Sequence, residues 1–473
     1  MIEALQQALG NKAVLTGDDC APWAQDWTGQ YTWTPLCVVR PENTDQVSTV
    51  MRLCHRARIP VVPVCGHTGL AGGTQGEGAV MLSLDRMSAI REIRSSVRLA
   101  IVEAGVILSD LHEAVAAQGL CFPMTFGARG SARIGGMLAT NAGGSNVLRY
   151  GNTRDLVLGV EAVLADGRIV NLMSELHKNN TGYDLRHLLI GSEGTLGVIT
   201  GAVLKLVQEP RAHATAMVAA NSLNQALDLL NRLQDASGSA VEAFEYMPAR
   251  FMRAHRDRYP KAMEPFSTIH EVNILVELAS PTPRDATPGP DGSLPLQDLL
   301  EGILGEMLGE GIILDAVLAK NASQRADMWA RREAAAELSL AHKLLINNDI
   351  AVPLDKVAEF LERADTRIRA LDPGFDTMVV SHLGDGNIHY ALWPTPQMDR
   401  DTLIETIEEI LLDLGGSFSA EHGIGTAKLN SMSRRKDPVA LDMMRAIKAA
   451  LDPHDILNPG KLIPASSPEA SHD

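Results

Sequence analysis

The residues best suited to chemistry lie late in the chain. His382 and His389 flank Gly-Asp-Gly-Asn, a strong turn sequence. On one continuous strand, residues seven apart would face opposite ways. A hairpin changes this. With strands over 379–383 and 388–392 and a loop over 384–387, Leu383 pairs with Ile388 and His382 stands opposite His389. Cross-strand Cβ atoms lie about 4.5–5.5 Å apart, which suits two imidazoles reaching one ion. Glu421 is the candidate third ligand, at the end of a small-residue strand expected over 416–420. Two imidazoles and one carboxylate leave positions open for substrate, as a catalytic metal requires. His422 follows directly and is the candidate general base beside a metal-held hydroxyl. The plain alternatives are a purely structural hairpin, and a His422 that acts as a fourth ligand or packs in the core.

A second set of residues is bunched glycine. Residues 61–78 (VVPVCGHTGLAGGTQGEG), 127–144 (GARGSARIGGMLATNAGG) and 191–197 (GSEGTLG) hold much of it. Such loops let the backbone approach a ligand closely, and their N–H groups can cradle phosphate. Three together point to an extended anionic ligand such as a dinucleotide; the alternative is that each serves a tight turn. No GxxxxGK[ST] occurs, which excludes a P-loop NTPase. No GxGxxG opens a helix with an acid about 20 residues on, which argues against a Rossmann domain.

The elements that must position these residues fall into two textures. Strand character at 78–84, 100–106, 158–165 and 198–206 alternates with helical stretches such as 109–118, a mixed α+β region ending near Glu209-Pro210. Beyond it, Leu223, Ala226, Leu227, Leu230 and Leu233 fall at helical spacing, and 270–278 reads as a strand. Residues 279–296 read as an exposed excursion. Helix stripes follow at Leu299, Leu300, Ile303, Leu304, Met307 and Leu308, and at Val357, Phe360, Leu361, Ala364 and Ile368. Asp437-Pro438 is a helix start, with the helix running to about Leu451. The tail, 464–473, is expected to be disordered.

The chain has 473 residues, enough for two or three domains. Its 58 Asp and Glu against 42 Lys and Arg give a formal charge of -16, which argues against a nucleic-acid partner. No stretch of about 18 apolar residues offers a membrane span. The first ten residues show no secretory signal. Five cysteines without a CxxC read as reduced thiols in a cytoplasmic protein.

Six motifs occur in order: PVCGHTGLAGGT, IGGMLATNAGG, NNTGYDLRHLLIGSEGTLGVIT, SHLGDGNIH, EHGIGTAK and LNPGK. Together they closely resemble the FAD-linked D-2-hydroxy acid dehydrogenases, which include D-lactate dehydrogenase, the glycolate oxidase flavin subunit and D-2-hydroxyglutarate dehydrogenase. These are flavoproteins of the vanillyl-alcohol oxidase type. The resemblance covers about residues 35 to 462. It implies an α+β fold with a two-subdomain FAD-binding domain over 35–210, after an N-terminal segment over 1–34. An α+β cap domain carrying the metal site follows over 211–420, and 421–463 returns to the FAD domain.

Carried over motif by motif, the resemblance places Gly66, His67, Thr68, Gly69, Leu70, Gly72 and Gly73 at the pyrophosphate. Gly127, Ser131, Gly135, Gly136, Thr140, Asn141, Gly143 and Gly144 run along the flavin and ribityl. Glu193, Gly194, Gly197, Val198 and Ile199 lie by the adenine side, and Asn458 near the isoalloxazine. Some branches of the superfamily bond a loop histidine to the flavin; here His67 is read as a polar loop residue and FAD as non-covalent. The resemblance supports His382, His389 and Glu421 as metal ligands, with zinc usual and manganese, cobalt or iron compatible. Arg332, in WARRE, matches the arginine that binds the substrate carboxylate, its alternative being a helix-surface residue. Asn387 is a further substrate contact.

The substrate expectation turns on two departures. D-2-hydroxyglutarate enzymes of this family carry a Thr four residues after that Arg, and a Lys two residues before an Asp in the next strand. Here Ala336 and Asn347 stand there. A D-lactate-like or other monocarboxylic substrate is therefore expected, with D-2-hydroxyglutarate or D-malate as the alternative. Readings from other classes are a metallohydrolase built on the His/His/Glu trio, and an electron-transfer subunit without catalysis. No nicotinamide domain or cluster-binding cysteine set is visible, so the expected acceptor is an electron-transfer flavoprotein, a quinone or oxygen. A homodimer and loose membrane association are both compatible with the sequence.

Overall fold

The computed structural model describes residues 1–290, 292–342 and 344–465. Of the tail expected to be disordered, 466–473 lie outside the described residues. The chain divides into two units: Met1–Ala142, Asn152–Gln208 and Glu421–Asp473 form the first, and Gly143–Gly151 with Glu209–Ala420 the second.

The first unit holds two principal sheets. β1 (Val14–Leu15), β2 (Cys37–Val39), β3 (Val61–Val64) and β4 (Val80–Ser83) form one, in the order β1-β2-β4-β3. The helix Thr44–Ala57 covers it. Asn43 caps this helix by accepting from Gln46 N, and Val47, Val50, Met51 and Cys54 give it one apolar stripe. β5 (Ile90–Arg94), β6 (Leu99–Glu103), β8 (Val157–Val163), β9 (Ile169–Leu172) and β10 (Val198–Lys205) form the other, in the order β5-β6-β10-β8-β9. β7 (Leu120–Cys121) and β11 (Val207–Gln208) make a short separate pair. The four strands and the helix 109–118 expected in this region are present, the helix as Leu108–Ala116. None of the five cysteines forms a disulfide among the described residues.

The second unit is one seven-stranded antiparallel sheet. Its strands are β12 (Ala212–Ala220), β13 (Val241–Pro248), β14 (Val272–Ser280), β15 (Ile313–Leu318), β16 (Ile346–Ala351), β17 (Asp376–His382) and β18 (Asn387–Trp393). Their order is β15-β12-β14-β13-β17-β18-β16. Alternate side chains go to opposite faces. Ala214, Ala216 and Val218 pack with the helices Leu223–Ser237, Pro295–Gly309, Val357–Leu371 and Arg400–Asp413. Met217 and Ala219 join the opposite cluster, with Phe251, Met252, Met328 and Leu338 from the helices Ala249–Arg258, Ala322–Glu333 and Ala335–Ser339.

Three expectations are corrected. The hairpin register differs: His382 pairs with Asn387, Ser381 with Ile388 and Val380 with His389. Asn387 is drawn into the ladder by its own bonds. Its N–H donates to Asp385 Oδ1 (3.1 Å), its carbonyl accepts from Ser381 Oγ (2.6 Å), and its Nδ2 donates to Ile350 O (2.9 Å). The pairing therefore moves by two residues, an even step, and both histidines stay on one face. Residues 416–420 are not a strand. They make one bridge, Ser417 to Ala351, and Ala420 N donates to Asp349 O (3.2 Å), so they trail along the outer edge of β16. The excursion at 279–296 is shorter than expected: β14 runs to Ser280, and Pro295 starts a helix that buries Leu296.

Candidate active site

In the second unit, the ladder places Glu245 beside His382, and His389 beside Asp349. Glu245, His382, Asn387, His389 and Asp349 thus project from one face of β13, β17, β18 and β16. The two imidazoles meet edge to face with ring centroids 5.2 Å apart. Behind each stands a fully buried carboxylate. His382 Nδ1 lies 2.8 Å from Glu245 Oε1, and His389 Nδ1 lies 3.8 Å from Asp349 Oδ1. His382 engages Glu245 through Nδ1, so Nε2 is the atom by which it could ligate a metal, the usual arrangement behind metal-binding histidines. The His389–Asp349 distance is that of an ion pair rather than a hydrogen bond. The donor set fits a divalent cation on these grounds.

Arg332 ends the helix Ala322–Glu333 on the same face. Its Nε donates to Glu245 Oε2 (2.8 Å), while its Nη2 is buried with no hydrogen-bond partner. An unpartnered guanidinium nitrogen suits a carboxylate. Burial pushes the Glu245 carboxyl up, but His382 and Arg332 outweigh it and hold it below the ordinary carboxylate range. Asn387 Nδ2 also donates to Asp349 Oδ1 (2.9 Å), and its Oδ1 is a buried acceptor without a donor. Ala336 and Asn347 are both exposed.

In the first unit, the main-chain N–H groups of residues 66–74 find no main-chain acceptor among the described residues. A Cβ added at Gly69 or Gly127 would meet nothing within 4 Å, so these loops border open space. Gly66 serves packing instead, since a Cβ there would lie 2.6 Å from Ser131 O. Such a cradle of unspent amides fits a pyrophosphate. His67 adopts φ 55°; its Nε2 lies 2.6 Å from Gln25 O, its ring stacks on Trp33, and its Nδ1 is buried without a partner. Asn141 ends the helix Ile134–Thr140 in the left-handed region and accepts from Arg154 N through Oδ1 (2.9 Å). Gly143 and Gly144 fall in the segment grouped with the second unit.

Glu193 turns its carboxylate to the C-terminal segment. Oε1 accepts from Ile424 N and Oε2 from Gly425 N, each at 2.8 Å, which pins the turn just after Glu421 and His422. Burial raises its pKa against these two bonds. Asn458 Nδ2 donates to Gly73 O (3.0 Å) and Glu193 O (2.7 Å), joining two glycine loops, and its Oδ1 is left as a buried orphan acceptor.

Sequence reading missed Glu245 and gave Asp349 no role. Glu245 is 137 positions from His382, and no local pattern marks it.

Residues 209–462 match the family "FAD linked oxidases, C-terminal domain", and residues 35–173 match "FAD binding domain". A D-2-hydroxyglutarate dehydrogenase of Xanthomonas citri pv. viticola is 34% identical over 473 residues, 98% of this chain and 96% of the relative. One of Stutzerimonas stutzeri is 31% identical over 98% of this chain and 99% of its own. The mitochondrial enzyme of Bos taurus is 32% identical over 98% and 83%. Among solved structures, p-cresol methylhydroxylase with substrate bound superposes with TM-score 0.74 at 16% identity, over 98% of this chain and 96% of that one. A 4-ethylphenol oxidase from Gulosibacter chungangensis gives 0.70 at 18%, over 98% and 97%.

The fold is that of the vanillyl-alcohol oxidase-type flavoproteins, an α+β architecture. The chain belongs to the FAD-linked oxidases, in the D-2-hydroxy acid dehydrogenase family, and is an FAD-dependent oxidoreductase acting on CH–OH groups.

Proposed function

We propose that the protein oxidises a monocarboxylic D-2-hydroxy acid to the 2-oxo acid, with FAD and a divalent metal. The observation that carries this is the shared sheet face in the second unit. It presents two histidines, each with a buried carboxylate on its Nδ1 side, beside an arginine whose buried Nη2 has no hydrogen-bond partner.

His382 and His389, with Glu421 as third ligand, would hold the metal, whose charge would lower the hydroxyl pKa. Zinc suits this imidazole and carboxylate set; manganese, cobalt and iron are the alternatives. In the first unit, 66–73, Asn141, Gly194 and Asn458 would hold FAD non-covalently, and the flavin would supply the hydride-accepting chemistry. Arg332 grips the C1 carboxylate and fixes the substrate's orientation. Asn387 Oδ1 orients the hydroxyl, and His422 takes its proton. On this reading 35–210 and 421–463 serve the flavin, while 211–420 serve substrate and metal.

The relatives are named for D-2-hydroxyglutarate, which keeps that acid, and D-malate, as the second reading. Ala336 and Asn347 argue against it. Neither can neutralise a second carboxylate, which would then shed water for little return. One charge-assisted hydrogen bond is worth about 1.5–3 kcal/mol, or roughly 10–100-fold in specificity. Anaerobic flavin bleaching by a panel of D- and L-2-hydroxy acids tests this. D-Lactate and its longer apolar homologues are expected to exceed D-2-hydroxyglutarate at least about tenfold in kcat/KM; the reverse order sinks the substrate assignment. Electrons then leave to an electron-transfer flavoprotein or a quinone. No helix among the described residues is long and apolar enough to cross a membrane.

A further inference from the structure

We propose that Glu245 is a positioning residue controlling two affinities at once: it sets the tautomer of His382 for metal, and it is the counter-ion of Arg332. The inference rests on the reading of the site just given.

Glu245 has no solvent exposure, and its two oxygens are divided. Oε1 lies 2.8 Å from His382 Nδ1, and Oε2 accepts from Arg332 Nε at 2.8 Å. A carboxylate can only accept. His382 must therefore carry its proton on Nδ1, which leaves the Nε2 lone pair for a cation. The other oxygen takes the arginine by Nε alone, and Nη2 stays buried without a hydrogen-bond partner. It also neutralises a buried cation, so Arg332 meets an incoming anion with its charge already partly answered. One side chain thus favours the metal and moderates the hold on the carboxylate.

Glu245→Gln separates these roles without changing shape. Gln Oε1 still accepts from Arg332 Nε. Its NH₂ now donates to His382 Nδ1, which moves the ring proton to Nε2, the atom the metal needs. Metal affinity should fall by about 10–100-fold, the usual size of an outer-partner effect. Arg332 loses its counter-ion, so anion affinity should rise by about tenfold. A residue of purely structural importance would weaken both.

The test uses FAD-loaded protein. Cobalt(II) is titrated calorimetrically, and pyruvate is titrated into chelator-treated protein through the flavin absorbance change. Unchanged cobalt affinity in Glu245→Gln overturns the tautomer role; unchanged or weaker pyruvate binding overturns the counter-ion role. If that variant does not hold FAD, Glu245→Asp takes its place. It keeps the charge and shortens the reach, so pyruvate affinity should stay within about twofold while cobalt affinity drops. Loss of both, or of neither, refutes the proposal. Controls keep the site reading separate: if His389→Ala retains full cobalt binding and Arg332→Ala retains pyruvate binding, the site reading itself is wrong, whatever Glu245 does.

Discussion

His382, His389 and Glu421 are the residues whose loss should separate the two cofactors. The glycine cradle lies in other segments of the chain, so His382→Ala, His389→Ala and Glu421→Ala are each expected to lose the metal and keep FAD. Metal analysis beside the flavin absorbance of the same sample checks this; full occupancy in any one variant removes that residue from the ligand set. His422→Ala should retain both and lose about 10²–10⁴ in turnover, read as single-turnover flavin reduction. At this scale the sequence was informative where chemistry needs a local pattern. His-Leu-Gly-Asp-Gly-Asn-Ile-His and Glu-His-Gly-Ile-Gly are written in consecutive letters. It was silent on Glu245 and on the role of Asp349, because a buried partner is chosen by strand pairing rather than by neighbourhood in the chain.

At the scale of elements, the hairpin that carries both histidines depends on its turn. Gly386 has φ 80°, and a Cβ there would run into the Val352 carbonyl oxygen. Gly386→Ala combines a left-handed backbone, costing about 1–3 kcal/mol, with a clash against main chain that cannot swing aside. A lower Tm together with weaker metal binding is expected, and a variant with wild-type Tm would show that the turn tolerates the side chain. Long helices were legible from apolar spacing alone: the stripe at Val357, Phe360, Ala364 and Ile368 is a buried helix face. The hairpin register was not, because Asn387 enters the ladder through bonds to Asp385, Ser381 and Ile350. The trailing segment 416–420 misled for a related reason. Small residues suit a strand, but Gly415 turns the chain at φ 72° and only Ser417 pairs.

For the molecule as a whole, one buried group should tie stability to pH. His255 sits against Arg331, whose Nη1 donates to His255 Nδ1 (2.8 Å) and holds it neutral. Burial, then the Arg331 charge, pull its pKa down to about 4. The unfolded chain takes up this proton near pH 6.5, while the folded one refuses it until about pH 4. Between those values the unfolded state binds more protons, so stability is complete above the upper limit and falls as pH drops. Glutamine can still accept from Arg331 and does not titrate. His255→Gln should therefore lose less Tm than the wild type between about pH 7 and 5. Equal losses, followed by scanning calorimetry, would show that His255 is not held neutral.

The flavin unit is discontinuous, and that sets a calendar for its birth. Val61 N donates to Ile456 O (2.7 Å), Asn458 N to Val61 O (2.8 Å), and Asn458 Nδ2 fastens the loop at Gly73. Ile456 and Asn458 are both translated after the whole of Glu209–Ala420. Domains generally fold as they emerge, N-terminal parts first, so the sheet of the second unit can close on the ribosome while the cradle still waits for its last strap. Flavin uptake is thereby scheduled for the end of synthesis. Nascent chains held on the ribosome by a C-terminal linker long enough to clear the exit tunnel should, when they end just short of Glu421, resist protease across 209–420 and take up no FAD, whereas those that end beyond Lys461 should take it up.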